Sequence, residues 1–201
     1  MKDEMDILKE VGSTASAQGS TALSEILGRR IDLAVPVLDI ISPNDLKQRI
    51  ATEKPIIVMQ TQILSGLAGQ KLFVILEEKS AYRLVDIFYK LNDDIKKGSL
   101  FTEMSMSLIK EIGNIIIFAY VGAIAYFLKR VIVPSLPVLI NAPLSEVMRL
   151  LSPDYGEEGV MLIQSVFEEP KENITGNFWL VLTAGAAEEI KDACKKILNE
   201  L

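Results

Sequence analysis

Ser107, Glu111, Asn114 and Pro137 have types and spacing that could do chemistry together. Glu111 and Asn114 are three residues apart, so on an α-helix their side chains lie next to each other. The carboxylate is an anionic anchor, and the carboxamide donates and accepts hydrogen bonds at once. Asparagine is a poor helix former, yet this one sits within an isoleucine-rich stretch. The pattern returns 101 residues earlier as Asp6, Glu10, Ser13 and Pro36, with serine where the asparagine stands. A solvated helix face would explain one such stripe. It does not explain why an acid and a proline recur at a fixed offset.

The elements that hold these residues also recur. Lys9, Glu10, Gly12, Ala22, Leu27, Arg29 and Pro36 are matched by Lys110, Glu111, Gly113, Ala123, Leu128, Arg130 and Pro137. On a helical wheel Leu108, Ile112, Ile115, Ile116, Ala119, Ala123 and Tyr126 form the expected core side. Ser107, Glu111, Asn114 and Phe118 make a separate stripe about 120° away. Asp6, Glu10, Ser13 and Ala17 make the corresponding stripe. Downstream, Ile56–Ile63 resembles Val160–Phe167, and Gly69–Leu76 resembles Gly176–Thr183. Each half therefore reads as a helix, a short strand ending at a proline, a connector, a two-strand hairpin and a closing helix. The hairpin turns are assigned to Gly66 and Gly69 and to Gly176. The expected class is α+β, internally duplicated with pseudo-twofold symmetry, with long helices and a mainly antiparallel sheet. One domain over 1–201 is expected, made of repeats at about 1–97 and 98–201. The junction is placed near Gly98, with Thr102 as the next N-cap.

Composition narrows the function. The 201-residue chain has no histidine, one cysteine and a net charge of −6. This excludes histidine-based general bases, Ser-His-Asp triads, disulfide frameworks and multi-cysteine metal sites; no metal is expected. Acidity argues against coating nucleic acid. The lone thiol, Cys194, lies on a charged amphipathic helix as a small buried hydrophobe and fits a reducing cytoplasm. The stretch Ile112–Leu128 has 17 residues, the short limit for a membrane span, so a buried core helix is preferred and no membrane insertion is expected. GLAG at Gly66–Gly69 is a turn rather than a phosphate loop. The acidic pairs Asp93/Asp94 and Glu157/Glu158 read as surface loops, and the connector between Pro36 and Pro55 as a peripheral segment with a short helix.

The spacing Asp/Ser-x3-Glu-x2-Asn-x22-Pro resembles the signature of the CheC/CheX/FliY chemotaxis phosphatase family. It is complete at Ser107, Glu111, Asn114 and Pro137, and complete at Asp6, Glu10 and Pro36 apart from Ser13. The two-repeat layout is similar to the CheC type. The resemblance implies hydrolysis of the aspartyl phosphate on the response regulator CheY, with magnesium and a lysine supplied by CheY and no cofactor of the chain's own. Asn114 would position the attacking water, as glutamine does in small GTPases. Glu111 would pair with the CheY lysine. Ser107 would orient Glu111, and Pro137 would shape a strand end. The first site is expected to be weak or inactive because Ser13 lacks a carboxamide, although Asp6 and Glu10 could still dock a regulator. Ile116, Ile117 and Phe118 are bulkier than the family's usual residues; Phe118 lies on the active stripe, so access or partner choice is expected to be altered. The resemblance also brings CheD as a possible partner. The competing reading is a non-catalytic adaptor for CheD or CheY.

Overall fold

The isoleucine-rich stretch forms part of a 28-residue helix, Phe101–Leu128, and its counterpart forms a 26-residue helix, Lys2–Leu27. The computed structural model describes residues 2–41, 55–91, 101–143, 146–147 and 160–199. The Gly98 junction, most of the Pro36–Pro55 connector and both acidic pairs lie outside the described residues. In chain order the elements are α1 (Lys2–Leu27), β1 (Asp32–Leu33), β2 (Val37–Ile41), β3 (Pro55–Ser65), β4 (Lys71–Glu77) and α2 (Glu78–Leu91). There follow α3 (Phe101–Leu128), β5 (Val133–Pro134), β6 (Val138–Pro143), β7 (Val160–Glu169), β8 (Ile174–Leu182) and α4 (Ala184–Asn199). The fold is α+β, as expected, and every strand pair among the described residues is antiparallel. Two details differ. Each proline lies between two short strands rather than ending one, and α3 already includes Phe101, so Thr102 is not its N-cap.

The sheet runs β1-β7-β8-β4-β3-β5, with β2 also pairing β7 and β6 also pairing β3. The short strands of each half thus edge the hairpin of the other. Equivalent backbone bonds mark the exchange: Ala34 N–H donates to Val166 O at 2.9 Å and Ser135 N–H to Gln62 O at 2.8 Å. At the centre β4 meets β8, with Phe73 opposite Trp179. The helix ends repeat too. Gly28 (φ 59°) and Lys129 (φ 47°) both turn left-handed after their helices, and Arg29 and Arg130 return amide bonds to Ser24 and Ala125.

The register corrects the sequence alignment. Met59 pairs with Val74 and Ile163 with Leu180, so Val74 corresponds to Leu180 and Phe73 to Trp179. Matching Gly69–Leu76 to Gly176–Thr183 is therefore one residue out, which would put every side chain on the wrong face. Lys71–Leu76 are all buried, so no polar alternation marks the register. Gly176 is accordingly not in a turn. It lies within β8, and the β7–β8 connection is Pro170–Asn173, with Asn173 left-handed at φ 52°. Gly66 and Gly69 do lie in the β3–β4 connection.

A Cβ at Gly176 would come within 2.2 Å of the Phe167 ring and 2.7 Å of Leu76. Phe167 is itself stacked on Phe178 at 4.8 Å in the core, so the ring has little room to move. Gly176→Ala is expected to destabilise the fold by about 2–3 kcal/mol and lower the thermal midpoint by roughly 5–10 °C. An unchanged midpoint in calorimetry would contradict this packing.

One core lies between the helices and one sheet face; Phe73, Ile75, Trp179 and Val181 belong to a second cluster with Val147. By length and composition α3 could cross a membrane, but Ile109, Ile112, Ile116, Ile117, Tyr120 and Ile124 are buried within the protein. The expected core face is rotated relative to the observed one. Ile115 and Tyr126 are exposed, whereas Ile117, Tyr120, Val121 and Ile124 are buried. The helix is apolar almost all round, so periodicity alone could not set its phase. Burial pushes the Tyr120 phenol well above its ordinary value, and the nearby Ser16 hydroxyl offsets this only in part. On α4, Cys194 is buried beside Ala187 and Ile190, and that burial raises its thiol.

Candidate functional site

Two glycines set the height of the helices over the sheet. A Cβ at Gly113 would lie 1.8 Å from the sulfur of Met59 on β3, and one at Gly12 would lie 2.5 Å from Ile163 on β7. Met59 and Ile163 hold corresponding places in their strands. Both helices therefore rest directly on the sheet one residue before the position occupied by Asn114 or Ser13. The same missing Cβ of Gly12 would be 3.8 Å from Pro36. This explains the long spacing in the motif: the chain leaves the helix, turns, and returns a buried proline beside the helix glycine. Pro137 is buried as well, immediately before β6.

On this seat the two sets of candidate residues show the same order of exposure. Ser107 and Glu111 are exposed, Asn114 is half-buried and Phe118 is exposed; Asp6 and Glu10 are exposed, Ser13 is half-buried and Ala17 is exposed. Glu111 has no hydrogen bond or ion pair among the described residues, and neither do Asp6 and Glu10. Ser107 makes no hydrogen bond to Glu111 there either. The Asn114 Oδ1 is enclosed and has no hydrogen-bond partner. An unpaired buried acceptor costs about 1–3 kcal/mol, and a half-turn about χ2 exchanges it with the amide nitrogen. The helix thus presents a free carboxylate and, one turn on, a carboxamide that no intramolecular bond holds in place.

The bulky residues after Asn114 divide. Ile116 and Ile117 are 1% and 0% exposed and point into the core. Only Phe118, 47% exposed, shares the outward face, with Ile115 beside it at 41%. Sequence reasoning overlooked Met59 and Ile163, which carry the site from below. The repeated glycine before Asn114 and Ser13 was the signal that pointed to a close contact. Among the described residues no group of three His, Cys, Asp or Glu side chains gathers to hold a metal.

No family model matches the chain. It is 26% identical over 173 residues to the CheY-P phosphatase CheC of Bacillus subtilis, which covers 84% of this chain and 82% of that protein. Its fold is similar to that of Thermotoga maritima FliY, with a TM-score of 0.78 at 20% identity over 98% of both chains. A chain in the CheX–CheY–BeF3–Mg complex of Borrelia burgdorferi matches with a TM-score of 0.54 at 17% identity, covering 86% of this chain and 96% of that one. The sequence likeness to CheC, the fold shared with FliY and the twice-repeated acid, glycine and proline agree: the chain is similar to the CheC/CheX/FliY family of chemotaxis proteins.

Proposed function

We propose that the chain hydrolyses the aspartyl phosphate of a CheY-type response regulator, and that its second half performs the hydrolysis. The observation that carries this reading is the pair on α3: Glu111, exposed and unpaired, and Asn114, whose carboxamide oxygen has no partner. Phosphoryl transfer from an acyl phosphate needs little covalent help. Catalysis comes from placing water in line with the leaving carboxylate and from balancing charge. Once the Asn114 side chain turns its enclosed oxygen toward the docked regulator, that oxygen accepts a hydrogen bond from the water while the NH2 group contacts a phosphoryl oxygen. Glu111 pairs with a cationic side chain of the regulator and fixes the register of docking. Magnesium, where the regulator carries it, belongs to the regulator. The likeness to CheC supports the substrate class.

The test is the decay of phosphorylated CheY with and without the chain. Acceleration is expected from the wild-type chain, and its absence would overturn the reading. Glu111→Lys reverses the anchoring charge at an exposed position, so it leaves folding intact. It is expected to lower kcat/KM by about a hundredfold. A value within threefold of wild type would remove Glu111 from the interface.

A second reading, docking without hydrolysis, is favoured for the first half alone, because Ser13 holds the place of the amide while Asp6 and Glu10 stay exposed.

A further inference from the structure

We infer that Phe118, with Ile115 and Tyr126, forms an apolar anchor that decides how tightly the phosphorylated regulator is held, and that only the second half has it. This rests on the function proposed above. Ile115, Phe118 and Tyr126 are 41%, 47% and 82% exposed on the outward face of α3. With Gly122 they follow helical spacing, and so extend in one stripe from Asn114 toward the helix end. A row of exposed apolar side chains that continues from the charged Glu111 marks a contact surface rather than scattered exposure.

The first half is an internal control. Its corresponding positions are Thr14, Ala17, Thr21 and Glu25, on a helix of the same class seated on the sheet by the same glycine contact. Folding and helix packing are served in both halves, so the apolar residues of α3 are not needed for either. They differ where the amide differs: the half with the carboxamide has the anchor, and the half with serine lacks it. Phe118 is one turn from Asn114 and two turns from Glu111, so a protein that brings its phosphate to the amide and a cation to Glu111 must cover the ring. The occupant is therefore the regulator itself, presenting an apolar patch beside its phosphorylated aspartate. Aromatic side chains surrounded by excluded water are the usual centres of binding energy.

The probe is CheY in its beryllium trifluoride form, which cannot turn over, titrated against the wild-type chain and against Phe118→Ala and Phe118→Leu; hydrolysis is measured separately with phosphorylated CheY. Phe118→Ala is expected to raise Kd and KM about tenfold or more with kcat at saturation unchanged, and Phe118→Leu to recover most of the affinity. Kd within twofold of wild type in Phe118→Ala, or a loss of kcat at saturation, overturns the anchor while leaving the assignment of Asn114 intact. Failure of the wild-type chain to bind this CheY at all would instead refute the proposed function. Because Phe118 is half exposed, the far-ultraviolet spectrum of the variants is expected to match wild type.

Discussion

Asn114→Ala is expected to slow assisted decay of phosphorylated CheY by about 10²–10³-fold, the usual loss when one preorganised polar group is removed from a transition state. The cause is positional. Glu111 and the helix face remain, so the regulator still docks and its affinity changes little. What disappears is the one group that can hold a water against the phosphoryl centre while contacting a phosphoryl oxygen. The variant is not expected to unfold. The Asn114 oxygen has no partner to lose, so deleting it leaves no polar atom stranded. Kinetics with saturating phosphorylated CheY, alongside a thermal melt, separate the two effects. Acceleration equal to wild type in a folded Asn114→Ala protein would end the case for water positioning by this residue.

The second large effect is a gain. Adding Ser13→Asn to the Asn114→Ala protein is expected to restore kcat to within about tenfold of wild type. The first half already has Glu10 exposed and unpaired, Pro36 buried, and Gly12 against Ile163 as Gly113 lies against Met59. Its outward neighbour is Ala17 rather than an aromatic ring, so nothing bulky obstructs the new amide. A serine hydroxyl cannot substitute, because it is too short and lacks the separate oxygen and NH2 group. KM is expected to stay high, since the apolar anchor is missing from α1. Steady-state kinetics over a range of regulator concentrations therefore distinguish a working amide on a weak docking face from an inert one. A double variant no faster than Asn114→Ala alone would show that the two halves differ by more than this side chain.

Part of this protein could be read without coordinates. The repeat was visible because acid, glycine and proline recur at one offset, and each has a physical reason to be irreplaceable: a free charge, a helix lying on a sheet, and a buried turn beside that helix. The quartets around Glu111 and Glu10 followed from helical spacing alone. Chain order likewise implied an antiparallel α+β sheet, since hairpins join neighbouring strands.

Other features required the third dimension. The phase of α3 was ambiguous because isoleucine and alanine occupy nearly its whole circumference; only packing against α1 and the sheet sent Ile117 inward and left Ile115 and Tyr126 outside. The register of β4 and β8 was hidden because both faces are buried, and Gly176 was misread as a turn because a glycine that makes room for an aromatic ring looks the same in sequence as one that bends a chain. The exchange of short strands between halves left no local trace, because pairing between distant segments depends on backbone hydrogen bonds that any residue but proline can donate. Local spacing settled which residues could act together. Long-range packing settled which way they face, and what they stand on.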